Sequence, residues 1–235
     1  MLEVKNLVKR YGEKTAVNNI SFKLEKGEIF GFIGHNGAGK TTTIKAICGI
    51  HDFDSGEIFI DGINLKKDPI SCKSVMAYLS DNPELYENMK AIDFINFVCD
   101  MYGTSQKIRE KNIKKYAEMF EIENKLNDPI NSYSHGMKQK LALISALAHE
   151  PKLLIMDEPF VGLDPKAVFD MKEIMKEMCK DGKTIMFSTH ILDVAEKLCD
   201  RIAIIKNGEL VACGKMNEVK GNKSLESVFL ELGEK

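Results

Sequence analysis

No stretch of this sequence is apolar for long enough to cross a bilayer, and its first residues lack the apolar core of a secretory signal. The expectation is a chain that stays in the cytoplasm unless another chain holds it at a membrane. Basic charge is not in excess: 33 Lys and Arg face 35 Asp and Glu, a net charge of −2. No overall positive field therefore invites nucleic acid or anionic lipid. The locally basic run from Lys107 to Lys115 reads as a solvated helix face. Cys-x-x-Cys pairs are missing, because the six cysteines (Cys48, Cys72, Cys99, Cys179, Cys199, Cys213) are scattered. Reduced core thiols fit that spacing better than disulfides or zinc ligands. Internal repeats, low-complexity tracts and the heptads of a coiled coil are absent too. What remains is 235 residues of ordinary globular composition, 44% hydrophobic and 29% charged, with ample material for a core.

The most informative stretch is Gly34-His35-Asn36-Gly37-Ala38-Gly39-Lys40-Thr41, followed at once by Thr42 and Thr43. Upstream, Ile29-Phe30-Gly31-Phe32-Ile33 reads as a buried strand; downstream, Ile44 to Cys48 continues a helical pattern. A glycine-rich turn from strand to helix is the context a phosphate loop requires. Glycines let the backbone curl with its N–H groups pointing inward, and the helix N-terminus adds free donors and a positive dipole end. Lys40 is placed to reach β- and γ-phosphates, and the Thr41 hydroxyl to sit on Mg²⁺. Two other nucleotide readings fail. Glycines at 34, 37 and 39 do not make the Gly-x-Gly-x-x-Gly of a dinucleotide site. The guanine-reading Asn-Lys-x-Asp is missing, since Asn124-Lys125-Leu126-Asn127 lacks the acid.

A second signature is Leu153-Leu154-Ile155-Met156-Asp157-Glu158, an apolar strand ending in two acids. Such a strand delivers carboxylates to the edge where α/β sheets hold ligands. Asp157 is expected to hold Mg²⁺ through its water shell and Glu158 to polarise an attacking water. Ser188-Thr189-His190 follows the apolar strand Thr184 to Phe187, so His190 is expected beside the γ-phosphate.

Further strands are predicted over 2–8, 20–24, 57–60, 75–79, 202–205 and 210–212, the last pair around an Asn207-Gly208 turn. Between 84 and 133 no strand signal appears. Ile92, Ile95, Val98 and Met101 recur at a helical period from Asn88 to about Gly103, and Ile113, Tyr116 and Phe120 mark a second helix. Further helices are predicted from Ser134, from Asp164-Pro165 and from Ser224. The expected fold is α/β: a phosphate-loop core (1–83 and 134–235) with a mostly parallel sheet covered on both faces and an N-terminal antiparallel β portion, plus an inserted helical subdomain (84–133).

With Asp157-Glu158-Pro159, Val161-Gly162-Leu163-Asp164 and Ser188-Thr189-His190 in order behind the phosphate loop, the whole chain resembles the ATP-binding subunit of an ATP-binding cassette (ABC) transporter. That family's Leu-Ser-Gly-Gly-Gln signature stands here as Tyr133-Ser134-His135-Gly136-Met137, with Ser134 and Gly136 kept. The resemblance implies several things. ATP and Mg²⁺ would be the cofactors. Ser134 and Gly136 would close over ATP held by a second cassette. Tyr11 would stack on adenine, and integral membrane permease subunits would hold the pair peripherally at the inner face of the membrane. The variant signature and the ending Ser224 to Leu230 are similar to those of exporters of drugs, antibiotics and bacteriocins. One departure stands out: where the family usually has glutamine, Ser80-Asp81-Asn82-Pro83 puts Asp81, which can bind Mg²⁺ but has no N–H to donate. The rival within the family is a soluble cassette ATPase of a non-transport assembly of iron–sulfur scaffold type. The rival outside it, a non-catalytic nucleotide-binding regulator, is opposed by Glu158 and His190.

Overall fold

A computed structural model describes residues 1–233. Along it run strands β1 (Leu2–Tyr11), β2 (Lys14–Leu24) and β3 (Ile29–Ile33), helix α1 (Lys40–Ile47), then β4 (Ser55–Ile60), β5 (Ile63–Asn64), α2 (Pro69–Ser74) and β6 (Met76–Leu79). Helices α3 (Ala91–Met101), α4 (Gln106–Met119) and α5 (His135–Ala148) follow. The chain ends with β7 (Leu153–Met156), α6 (Pro165–Lys180), β8 (Thr184–Thr189), α7 (Leu192–Leu198), β9 (Arg201–Lys206), β10 (Glu209–Lys215), α8 (Met216–Lys220) and α9 (Leu225–Gly233). Among the described residues no helix is long and apolar enough to cross a membrane.

Two sheets organise these elements. The larger has order β10-β9-β3-β8-β7-β6, and only the edge hairpin β9–β10 is antiparallel. The smaller, β2-β1-β4-β5, is antiparallel throughout. Strand β3 is buried along its whole length, as a central parallel strand covered on both faces must be. Alternate residues of the central strands go to opposite sides. Phe30, Phe32, Leu153 and Ile155 join α1 and the antiparallel sheet in one apolar cluster. Ile29, Ile33, Leu154, Met156, Ile185 and Phe187 join α3 to α7 in the other. So one cover is helical and the other is α1 backed by a second sheet.

Aromatic packing fastens that second sheet. The Phe22 ring of β2 lies 5.6 Å from Phe30 and 5.5 Å from Phe32. Each such pair adds about 0.5–1.5 kcal/mol beyond the area it buries. On the opposite face, a Cβ at Gly31 would stand 2.7 Å from Cys199 Sγ, so glycine there lets the end of α7 rest on β3.

The strands run longer than their patterns suggest, β2 beginning at Lys14 rather than 20, because residues 14–19 pair with β1 as an edge hairpin in which Val17 alone is buried, so no alternation shows. The first helix after 84 starts at Ala91, three residues later than its periodicity, where Ala91 N–H bonds Asp128 and Ile92 N–H bonds Leu126. No strand interrupts the described residues between β6 and β7.

Candidate functional site

Three elements converge at one edge of the larger sheet. The β3–α1 loop carries Gly34 to Gly39, β7 runs into Asp157 and Glu158, and β8 ends at Thr189 ahead of His190. These strands are mutually parallel, so their carboxyl ends lie together, where open α/β sheets hold ligands. An open cleft of about 830 Å³ stands there. Its lining brings together Asn36, Gly37, Gly39, Lys40, Thr41 and Thr42 of the loop. Tyr11, Asp81, Glu158 and His190 line it too.

Sterics explain two of the loop glycines. A Cβ at Gly34 would lie 2.5 Å from Ile205 O, and one at Gly39, whose φ is +110, would lie 2.6 Å from Ala16 O. Gly37 differs: its φ of +81 needs glycine, yet nothing stands within 4 Å of its Cβ position. Ala38 is buried beneath, its carbonyl accepting the Gly208 N–H at 2.9 Å. Gly34 and His35 do not line the cleft; His35 faces outward against Phe229.

Lys40 is only 6% exposed, yet its ammonium donates two hydrogen bonds and has a carboxylate beside it. Nζ lies 2.7 Å from Gly34 O, 3.2 Å from His35 O and 3.3 Å from Glu158 Oε1. The last is an ion pair outside hydrogen-bond geometry. The three oxygens hold a point charge at the cleft's inner wall.

Ser188 organises the acids. Its fully buried hydroxyl donates to Asp157 Oδ1 and accepts the Glu158 N–H at 3.0 Å. That bond pins Glu158, whose φ of 47 lies in the left-handed region, a conformation costing of order 1–3 kcal/mol for a non-glycine residue. The turned backbone brings Glu158 Oε2 to 3.0 Å from His190 Nδ1. Asp157 is 1% exposed, and its Oδ2 has no hydrogen-bond partner. A buried anionic oxygen without a donor suits a hard divalent cation. Asp81 reaches the same cleft, its Oδ1 accepting the Asn82 N–H at 2.9 Å. Tyr11 is 48% exposed, with Lys9 Nζ 4.9 Å from its ring centre.

Ser134 and Gly136 stand apart, outside the lining of this cleft. Ser134 is the exposed N-cap of α5, its hydroxyl accepting the Met137 N–H at 3.3 Å. Two side chains tether that helix end to the loop after Glu158: Gln139 Nε2 donates to Val161 O at 2.6 Å, and Lys140 Nζ lies 2.8 Å from Asp164. The lysine, together with the Ala167 N–H that Asp164 caps, holds the Asp164 carboxyl below the usual carboxylate range.

Sequence reasoning missed part of the wall, namely Lys14, Thr15, Ala16, Val161, Asn207 and Gly208. Asn207-Gly208 carries a turn signal, but its contact with the loop joins positions far apart in the chain. Lys14 to Ala16 carry no signal at all.

Known proteins resemble this chain in sequence and in fold. The family profile described as ABC transporter matches residues 17–161. The chain is 38% identical to the ABC-type transporter ATP-binding protein EcsA of Bacillus subtilis over 99% of itself and 96% of that protein. It is 35% identical to the lantibiotic transport ATP-binding protein SrtF of Streptococcus pyogenes, over 97% and 96%. A solved ATP-binding subunit of an ABC transporter superposes with TM-score 0.96 at 35% identity, covering 99% of both chains. An ATP-binding cassette solved as a dimer in a post-hydrolysis state with ADP and Pi superposes with TM-score 0.83 at 26% identity, covering 92% of this chain and 99% of that one.

Proposed function

We propose, from the premise that this chain belongs to the ABC transporter family and is an ATP-hydrolysing subunit of a transporter, that it drives an exporter as one of two cassettes closing on MgATP. The observation that carries the paired arrangement is the position of Ser134 and Gly136. They sit at a solvent-facing helix start outside their own chain's cleft, where an N-terminus offers free N–H donors to an anion on another molecule. Gln139 and Lys140 tie that helix start to the loop behind Glu158, so a partner's γ-phosphate would be sensed at this chain's own acids.

Within each site the roles divide by chemistry. Lys40 and the loop N–H groups hold the phosphates, and Tyr11 offers its exposed ring to the adenine. Thr41, Asp157 and Asp81 are the oxygens for Mg²⁺, which when bound neutralises phosphate charge. Glu158 accepts a proton from the attacking water, and His190, hydrogen-bonded to it, orients the carboxylate.

Transmission to permease subunits at the inner face of a membrane is supported by the segment 80–83. Asp81 lines the nucleotide cleft, while Ser80 and Pro83 border a second hollow of about 210 Å³ with Phe94, Val98 and Tyr102. Beside it Tyr86, Phe97 and Met101 are exposed, an apolar face suited to a helix from a permease subunit. The helices of 84–133 are read as the inserted subdomain that carries this face. Similarity to a lantibiotic transport protein supports export over the iron–sulfur scaffold alternative. A photo-crosslinker at Met101 in whole cells tests the reading: recovery of a multi-spanning membrane protein is expected, and recovery of only soluble assembly proteins would overturn it.

A further inference from the structure

The phosphate loop carries an aromatic contact that lies outside the lining of the nucleotide cleft. The exposed His35 ring lies 4.6 Å from Phe229 of α9, centre to centre, at an interplanar angle of 59°. His35 is also the residue whose carbonyl accepts from Lys40 Nζ at 3.2 Å and from the Ala38 N–H at 3.1 Å. Phe229 thus packs on the side chain of a residue whose backbone holds the phosphate-binding lysine.

The same helix is tied to the other side of the site. Its first N–H, on Leu225, donates at 3.0 Å to Glu196 Oε2 of α7, while Glu196 Oε1 takes Lys220 Nζ at 2.6 Å. Leu225 is fully buried, and α7 begins two residues after His190. Toward the far end of α9, Leu232 O accepts from Lys206 Nζ at 3.2 Å. One helix therefore touches the phosphate loop at its middle and, at its start, the helix that follows His190.

We propose that α9 is an intramolecular strap, with Phe229 the positioning residue that holds the phosphate loop in its nucleotide-accepting shape. The inference rests on the ATP-site reading and deepens it by adding a control on affinity. Phe229 lies outside the lining of the cleft; it acts through His35, whose mobility sets the mobility of the carbonyl under Lys40. Any partner that lifts α9 would loosen the loop and release nucleotide, so the strap gives the fold a handle on nucleotide affinity remote from the cleft.

The test uses the full chain, with MgATP affinity measured by isothermal titration and loop mobility by amide exchange of the peptide covering 34–40 without nucleotide. Phe229→Ala is expected to weaken MgATP by about 3- to 10-fold, the size of an aromatic pair, and to speed loop exchange. Phe229→Tyr, which keeps a ring, is expected to restore both. Leu230→Ala, at a neighbouring position that is 60% exposed, is expected to change neither and controls for general loosening of the helix. In a His35→Ala background, Phe229→Ala is expected to add nothing, because the contact is already gone. Unchanged affinity and exchange in a folded Phe229→Ala protein would overturn the strap, and so would a full additional loss in the His35→Ala background. Failure of the wild-type chain to bind MgATP would instead overturn the ATP-site reading itself.

Discussion

Replacing Ser188 by Ala removes one oxygen atom and asks what that oxygen does. In the intact site it donates to Asp157 Oδ1 and accepts from Glu158 N–H, in a fully buried position. The cavity left is negligible, so the cost is electrostatic. Asp157, 1% exposed with Oδ2 already unpartnered, loses its side-chain donor, and a hydrogen bond to a charged group contributes about 1.5–3 kcal/mol. Glu158 N–H loses its acceptor, and an unsatisfied buried donor costs about 1–3 kcal/mol. A loss near 3 kcal/mol corresponds to a fall of about 6–12 °C in melting temperature for a chain of this size. Thermal unfolding of the nucleotide-free protein reads it directly. The sum should be smaller when Asp157 is already Asn, because the uncompensated charge has gone; the double variant should melt above the temperature expected from adding the two losses. ATP turnover should also fall, since that N–H bond helps hold the left-handed backbone that aims the Glu158 carboxylate. A drop below about 2 °C with full turnover would show that Ser188 is ordinary strand packing.

Lys40→Ala should abolish turnover and weaken MgATP strongly while the protein stays folded; near-normal phosphate release would sink the phosphate-loop assignment. At Asp81, Asn and Gln should be tolerated better than Lys, because an amide keeps an oxygen for Mg²⁺ and an ammonium repels it; equal ATPase rates in all three variants would make Asp81 a plain loop acid. His149, stacked on Tyr102 at 3.6 Å, has its pKa pushed down to about 4, chiefly by burial. Its folded value lies below the unfolded value near 6.5, so protonation favours the unfolded chain. The corresponding stability is complete above about pH 6.5 and is lost as pH falls toward 4, a loss of up to about 3 kcal/mol. In urea melts at pH 7 and pH 4.5, His149→Phe should lose less stability than wild type; parallel losses would remove His149 from the account.

What was legible in the sequence follows from how local each constraint is. The phosphate loop announces itself because its glycines and Lys40-Thr41 fall at a fixed short spacing between an apolar strand and a helix, although the backbone that Gly34 and Gly39 clear, at Ile205 and Ala16, lies elsewhere in the chain. Leu153 to Met156 is legible because a central strand is apolar throughout, and Ser134 because its hydroxyl caps its own helix. Residues 14–19 were not, since one buried side chain, Val17, makes no alternation, and Lys14 to Ala16 join the cleft wall all the same. The two-residue β5 is too short to carry a period. Ser188 was visible only as a neighbour of His190; its grip on Asp157 and Glu158 depends on β7 and β8 lying side by side. Phe229 on His35 is a contact between chain positions that nothing local announces.

The central claim, that two cassettes close over MgATP with Ser134 acting across the interface, is tested most directly by the mass of Glu158→Gln in solution. The amide keeps the shape of the side chain and loses its basicity, so ATP should bind and persist. Bound nucleotide that touches both chains stabilises the pair by mass action. Light scattering on the eluted protein should give a dimer with MgATP and a monomer with MgADP, and Ser134→Arg added to Glu158→Gln should restore the monomer. An ATP-loaded Glu158→Gln protein that stays monomeric, both alone and mixed with a paralogous cassette, would contradict the claim.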